Sequence, residues 1–147
     1  MKLFFAIVIL AFSLSTQAYE LECRNSEGQI MNGSIEQLRA VMKKNWDRPQ
    51  IKVIGVITNI LPEDHSGLQH QKFSIKVSND ISLSIVSNLE FGRMPIAIGK
   101  TITVCGEFKK VGQGMVHWTH FDPHGNHADG FSIIDGEIYG DKQMLNK

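Results

Sequence analysis

Residues 51–61 read IKVIGVITNIL and form the longest β-strand pattern in the chain. The stretch is rich in β-branched residues, which are typical of strands. The apolar residues Ile51 and Val53 share one face. Beyond Gly55, Val56 and Ile60 fall on the opposite face. A glycine at such a change of phase predicts a β-bulge that would let one strand serve two sheets. The pattern therefore predicts a long, bulged first strand.

Shorter strand patterns follow the first one along the chain. They cover residues 73–77, 81–85, 101–108 and 115–120, and a final hairpin over 131–139 turns at Asp135-Gly136. Five strands, with a connector before the fourth, predict a mainly β domain: a five-stranded OB-fold-like barrel with a C-terminal hairpin. A small β-sandwich has the same strand count and is the alternative architecture.

A helical pattern precedes the strands. Ser34 and Gln37 fit a capping box, and Pro49 prevents continuation of the pattern. One apolar stripe is formed by Ile35, Leu38, Val41, Met42 and Trp46. The pattern predicts an N-terminal amphipathic helix over residues 35–46 that packs on the sheet.

Residues 1–18 have the features of a signal peptide. Lys2 precedes an apolar run over residues 3–14, and Thr16-Gln17-Ala18 gives a small-residue cleavage site. The run is too short to cross a bilayer, which takes about 20 apolar residues. We expect export, cleavage after Ala18, a periplasmic or secreted protein, and no integral membrane contact.

The chain has 147 residues with 15 basic and 15 acidic side chains. Such a length suits one hydrophobic core. The expected organisation is a signal peptide over 1–18, an N-terminal segment with the helix over 19–49, an OB-fold-like domain over 50–140 and a flexible tail over 141–147. A balanced charge disfavours indiscriminate binding to nucleic acids or anionic membranes.

Cys23 and Cys105 are the two cysteines of the chain. In the strand pattern over 101–108, Cys105 shares a face with threonines, opposite the apolar set, so an N-terminal segment crossing that face could reach it. In an oxidising compartment this predicts one disulfide, against the alternative of two unpaired thiols. Zinc binding through these thiols is disfavoured because neither has a Cys-x-x-Cys partner.

Residues 117–127 read HWTHFDPHGNH and contain four of the six histidines. Imidazole is the commonest transition-metal ligand. If the fifth strand runs through this block, His120 and Asp122 share a face, and the Pro-Gly loop could return His127 to them. His70, at the start of the second strand, could join through the tertiary fold. These four residues are the predicted ligands of a divalent metal such as zinc.

The same block predicts contacts to an organic ligand. Aromatic side chains beside polar groups on a barrel surface can stack on sugars or nucleic-acid bases. The predicted contacts are His117, Trp118, Thr119 and His124, and the ligand classes are a small molecule, a sugar or a single-stranded nucleic acid. The alternatives are a tryptophan that caps the core and a solvated loop in which Asp122-Pro123 initiates a turn.

Several stretches carry a resemblance to a known family. They are LPED at 61–64, HQKF at 70–73, GEF at 106–108 and VHWTHFDP at 116–123, followed by His127. The chain resembles an uncharacterised group of small exported bacterial proteins, a domain-of-unknown-function family marked by His-Trp-Thr-His-x-Asp-Pro. The resemblance covers about residues 51–139 and implies an OB-like barrel but no activity. Cys23 and the helix lie outside it.

Three functions are compatible with these features. The first is an exported binding module with a His/Asp-rich ligand or metal site at 117–127. The second is a metal-dependent hydrolase of a phosphodiester or related substrate, for which Glu107 and Asp129 are candidate general bases only by proximity in sequence. The third is a structural domain of an envelope assembly. Binding ranks first because no complete catalytic set is evident, and whether the protein is an enzyme stays open.

Overall fold

The computed structural model describes residues 21–44, 48–64 and 66–142. This part of the chain is mainly β, with one α-helix and seven strands in a single sheet. The elements are α1 (Ile35–Lys43), β1 (Gln50–Leu61), β2 (His70–Lys76), β3 (Ser82–Asn88), a 3₁₀ turn (Leu89–Phe91), β4 (Thr101–Lys109), β5 (Met115–His117), β6 (Phe131–Ile134) and β7 (Glu137–Tyr139). The expected signal peptide, Trp46, His65 and residues 143–147 of the expected tail lie outside the described residues.

Five of the strands close into a ring. They pair in the order β1–β2–β3–β5–β4, and β4 pairs with β1 again. The β3–β5 pair is parallel and the other ring pairs are antiparallel. The β6–β7 hairpin extends the sheet from β4. The seven strands thus form one closed sheet with an appended hairpin, rather than the two separate sheets of a sandwich.

The first strand is bulged, but not at Gly55. The register against β2 shifts between Ile57 and Asn59, and the face that is buried before Gly55 stays buried through Ile57. Val56 is 41% exposed, so the predicted change of phase was wrong. Gly55 instead allows β2 to pass closely, because a Cβ atom there would lie 2.9 Å from the carbonyl oxygen of Lys76.

Helix α1 packs its apolar stripe on the ring, as predicted, through the buried side chains of Leu38 and Val41. The Ser34 hydroxyl accepts a hydrogen bond from the Gln37 backbone N–H at 3.1 Å. The Gln37 side chain accepts from the Asn32 backbone N–H instead of the Ser34 one, so only half of the capping box forms. The helix ends at Lys43, short of the predicted position 46.

The predicted disulfide is confirmed. Cys23 and Cys105 are bonded, with their Cα atoms 5.6 Å apart. A small hairpin, closed by a bridge between Arg24 and Ile30, precedes the helix. Cys23, Met31, Cys105 and Phe131 form a buried cluster separate from the main core. The disulfide therefore attaches the N-terminal segment to β4 through a second, smaller core.

Within residues 21–44, 48–64 and 66–142, no helix has the length and apolarity that membrane crossing requires. Disulfides form and persist in oxidising compartments. The Cys23–Cys105 bond is consistent with the expected export, although the expected signal peptide itself lies outside the described residues.

Candidate functional site

Strand β5 ends three residues earlier than predicted. It covers Met115–His117, and Trp118 has a φ of +53°, in the left-handed region that bulky residues rarely adopt. This conformation turns the chain out of the sheet. The strand alternation that placed His120 and Asp122 on one face therefore does not apply, and a loop positions both residues.

Three glycines surround the backbone of residues 117–120. An added Cβ atom at Gly106, Gly130 or Gly140 would lie 2.6, 2.2 or 2.5 Å, respectively, from a carbonyl oxygen of residues 117–119. Only glycine permits such close backbone approach. The sequence reasoning missed this role, although a glycine within a strand, such as Gly106, often marks a close backbone contact. The glycines hold the first part of the His block against β4, β6 and β7.

The aromatic side chains at this end of the ring form one set of contacts, which we call the ring cluster: His70, Phe91, His117, Trp118, His120 and His127. The cluster lies where β2 begins and where β3 and β5 end. Ring centroids are 3.9 Å apart for Phe91–His120, 5.1 Å for His120–His127, 4.5 Å for His127–Trp118, 4.5 Å for Trp118–His117 and 5.7 Å for His117–His70. The fold thus brings five predicted residues together and adds Phe91, which was not predicted from the sequence.

Hydrogen bonds fix the orientation of three imidazoles. Nδ1 of His120 lies 2.7 Å from the Phe121 carbonyl oxygen, and Nδ1 of His127 lies 2.8 Å from that of Ala128. Nδ1 of His70 lies 2.8 Å from Oδ2 of Asp64. Because these oxygens accept, Nδ1 must donate in each pair, and in the neutral ring Nε2 carries the lone pair.

Asp122 is a structural cap for its own loop. Its side chain is 5% exposed, and its carboxylate accepts hydrogen bonds from the backbone N–H groups of His124 (2.8 Å), His127 (2.9 Å) and Asn126. Burial alone would raise the pKa of the Asp122 carboxyl, but these three donors outweigh burial and lower the pKa to about 2. Asp122 therefore fits the alternative stated above, in which Asp122-Pro123 initiates a turn.

The four predicted metal ligands do not form a metal site in this conformation. Within the described ranges, no three or more His, Cys, Asp or Glu side chains make a group that could hold a metal ion. Nε2 of His127 lies 3.9 Å from Oδ2 of Asp122, whose oxygens already accept from the loop backbone. His70 is oriented by Asp64 rather than by Asp122.

The predicted ligand contacts differ in accessibility. Thr119 is only 1% exposed, and its hydroxyl oxygen has no hydrogen-bond partner among the described residues. Trp118 is half-buried; the His127 ring stacks on it, and the Lys109 ammonium lies 5.9 Å from its ring centroid. His124 is exposed on the loop. Thr119 therefore faces the interior, and the indole is already engaged by neighbouring side chains.

A cleft of about 920 Å³ opens beside the ring cluster. Its walls come from residues 21–28 of the disulfide-linked hairpin, residues 121–131, and residues 141–142. Arg48, Gln50 and Glu107 form the remainder of the lining. His127 belongs to both the cleft and the ring cluster, and so connects them. The sequence did not predict this cleft.

Acid should weaken the fold through the ring cluster. Burial, and to a lesser degree the charge of Lys109, lowers the pKa of His117 to about 4, and burial lowers the pKa of His120. An unfolded histidine titrates near pH 6.5, so the unfolded chain binds more protons below that value. The stability that the fold gains by keeping these two histidines neutral is present above pH 6.5 and is lost as the pH falls toward 4. Allowing for solvent screening, we expect a loss of about 1–2 kcal/mol.

Urea unfolding at pH 7.0 and pH 4.5 measures this loss, and a His117→Asn variant should show a smaller pH dependence. The exposed His124 gives the control, since His124→Asn should behave like the unmodified protein. Equal free energies of unfolding at the two pH values would contradict the expectation. Both pH values lie above the range in which the stabilisation from the depressed pKa of Asp122 is lost.

Comparison with known proteins places this architecture in a family. A family model described as "Protein of unknown function (DUF3465)" matches residues 25–140, which include the helix, all seven described strands and the ring cluster. No curated protein and no solved structure matches the chain. Cys23 lies just before the matched range. The chain therefore belongs to the family of proteins of unknown function DUF3465.

Proposed function

We propose that this protein is an exported binding domain that holds a small polar ligand in the cleft beside its ring cluster. The cleft carries the proposal: its volume of about 920 Å³ is in the range of small-molecule sites, which run from roughly 300 to 1,000 Å³. Its walls join segments that are distant in the sequence. One wall is covalently attached by the disulfide, and another is fixed by the Asp122 carboxylate.

The proposed architecture is an OB-fold-like barrel over residues 50–140. The ring order β1–β2–β3–β5–β4 with closure onto β1 supports it, as does the long first strand shared between two neighbours. OB-folds commonly bind ligands with one face of the barrel and the adjoining loops. Export is supported by the leader pattern over 1–18 and by the disulfide.

The charges of the lining favour a small molecule over a single-stranded nucleic acid. Three cationic residues line the cleft, Arg24, Arg48 and Lys142, against five acidic ones. Single strands are held by positively charged grooves with free aromatic faces. The Trp118 ring is stacked by His127, which removes the stacking platform that the sequence predicts. A sugar-sized molecule rich in hydrogen-bonding groups fits such a lining better.

A divalent metal such as zinc, and the hydrolase that it would serve, are not part of this proposal. One feature favours a metal: metal-binding histidines ordinarily donate their other ring N–H to an oxygen acceptor, as His70, His120 and His127 do. The arrangement of the ligands opposes it, because the described residues offer no three-ligand group and Asp122 caps its loop. Binding in the cleft requires neither a metal nor rearrangement.

A small-molecule screen by NMR tests the proposal on the full oxidised protein. We expect members of a panel of neutral sugars and small organic acids to shift the backbone amides of residues 22–28 and 121–130 together. A bulky Asn126→Trp substitution should fill the cleft and weaken binding about tenfold or more, because Asn126 lines the cleft and is exposed.

The matched control is Asn79→Trp, since Asn79 is also exposed but belongs to the turn between β2 and β3. It should leave binding unchanged. If no compound shifts the cleft amides, or if both tryptophan variants behave alike, the binding proposal fails. A structural role in an envelope assembly would then be the better hypothesis.

A further inference from the structure

One cation at the rim of the cleft is held by a buried carboxylate. Nε of Arg48 donates a hydrogen bond to Oε2 of Glu107 at 2.9 Å. The Glu107 side chain is 6% exposed, whereas the Arg48 side chain is 50% exposed. Glu107 thus fixes the guanidinium from beneath. Within the described ranges, no protein acceptor contacts the two terminal Nη groups, which remain available to a ligand.

The backbone of Arg48 is held in an unusual conformation. Its φ of +48° lies in the left-handed region that non-glycine residues seldom adopt. The following residues are anchored: the Pro49 carbonyl oxygen accepts from the Phe108 backbone N–H at 2.8 Å, and Gln50 pairs with Glu107. Such conformations persist where the surroundings enforce them, and they cluster at ligand sites. The fold therefore holds this arginine beside the cleft.

Four acidic side chains of the cleft lining already have partners within the protein. Glu22 pairs with Arg24, and Glu107 pairs with Arg48 and with Lys109. Asp122 accepts from three backbone amides, as described above, and Asp129 accepts from the Asp122 backbone N–H. Among the residues that the structure describes, these four carboxylates have partners, whereas the terminal donors of Arg48 have none.

A second cation lies at the same cleft. The Lys142 ammonium lies 4.7 Å from the centroid of the Phe121 ring, and both residues line the cleft. Within the described residues, the Lys142 ammonium contacts no partner other than this ring. A lysine ammonium has three N–H donors, so contact with one aromatic ring leaves some of them for other groups. Arg48 and Lys142 thus both present donors to the same cleft.

We propose that the cleft binds the anionic group of a small organic molecule through the terminal donors of Arg48, assisted by Lys142. The proposal rests on the function proposed above and narrows its ligand class. A planar guanidinium fork matches the oxygens of a carboxylate or of a phosphate monoester, and these two groups share the recognised chemistry. Glu107 acts as a positioning residue because it holds the guanidinium through Nε.

Simple anions test this subsite directly. Sodium acetate and inorganic phosphate are titrated separately into the full oxidised protein at constant ionic strength, with sodium chloride as the reference, and the Nε–H signal of Arg48 is followed by NMR. We expect a saturable shift with acetate or phosphate that chloride does not produce. The anion with the lower dissociation constant distinguishes a carboxylated ligand from a phosphorylated one.

Substitutions then assign the site through the shifts of the cleft amides. Arg48→Gln should weaken anion binding about tenfold. Arg48→Lys keeps the charge but loses the fork, and should weaken binding about threefold. Lys142→Gln should have a smaller effect. The matched control is Arg39→Gln, because Arg39 is an exposed arginine on α1 that pairs with Asp80, outside the cleft lining.

The outcomes separate this proposal from the previous one. Anion binding that survives in Arg48→Gln, or that equals the chloride reference, overturns the anion subsite. A carboxylated or phosphorylated compound that binds the cleft equally well in the unmodified protein and in Arg48→Gln also overturns it, while leaving the binding cleft intact. If acetate or phosphate still shifts the Arg48 Nε–H signal in Asn126→Trp, the anion binds outside the cleft. That result would overturn this inference.

Discussion

Replacing Cys23 and Cys105 together by alanine should lower the free energy of unfolding by about 4–5 kcal/mol. The two residues are 82 positions apart, and the loop-entropy model assigns a cross-link of that span about this stabilisation. A domain of this size has a total stability of roughly 5–15 kcal/mol, so the loss is a large fraction of it. Urea unfolding of the double variant beside the oxidised protein measures the difference.

The two single variants, Cys23→Ala and Cys105→Ala, provide the control. Each lacks the cross-link, so each should lose nearly the same free energy as the double variant, and the effects should not add. Since Cys23 belongs to the second core, the hairpin wall of the cleft should loosen while the ring retains its own core. A difference below about 1 kcal/mol would contradict the expected role of the bond.

Gly130→Ala should cost about 3 kcal/mol or more, or prevent folding. The added Cβ atom would lie 2.2 Å from the Trp118 carbonyl oxygen and 2.7 Å from that of Cys105. Both contacts are to backbone, which cannot rotate away as a side chain does, so the cost exceeds that of ordinary overpacking. Thermal and urea unfolding measure the loss, and the NMR signals of the ring cluster should shift in any variant that folds.

Gly67→Ala is the matched control. Gly67 has a φ of +74°, but a Cβ atom there meets no atom within 4 Å, so its cost is that of backbone conformation alone, about 1 kcal/mol. Gly130 has no such conformational requirement, and its cost is steric. If the two alanine variants were equally stable, the close packing of residues 117–120 against the glycines would not be rigid.

The strands of the ring were largely predictable, because alternation of apolar and polar residues directly reports a two-sided strand. The predicted change of phase in β1 was wrong. Val56 and Ile60 are apolar but exposed, at 41% and 45%, and a sequence pattern cannot distinguish an exposed apolar side chain from a buried one. Gly55 then looked like a phase change, whereas it accommodates the neighbouring strand. That contact depends on tertiary packing, which local periodicity does not contain.

The sequence indicates where the histidines of the candidate site lie, but it indicates neither the cleft nor the roles of the site residues. Histidine density indicates a site at the 117–127 block, and the structure brings three histidines of that block and His70 into ring contact. Carboxylate and imidazole are common metal ligands, so the sequence predicts a metal role for Asp122, yet its closest donors are amides of its own loop. Such local side-chain to backbone bonds are typical of Asp before a turn. No sequence pattern indicated a binding role for Arg48, because its guanidinium is held in place by Glu107 on a distant strand.

Closure of the ring also affects how copies of this protein can associate. An unpaired strand edge is a template for pairing with another chain, and long open edges promote aggregation. Each ring strand here pairs on both sides over at least part of its length. At the end of the described sheet, β7 has three residues and begins with the exposed Glu137. A short, charged terminal strand is a poor template, so the fold limits edge-to-edge self-association in a crowded compartment.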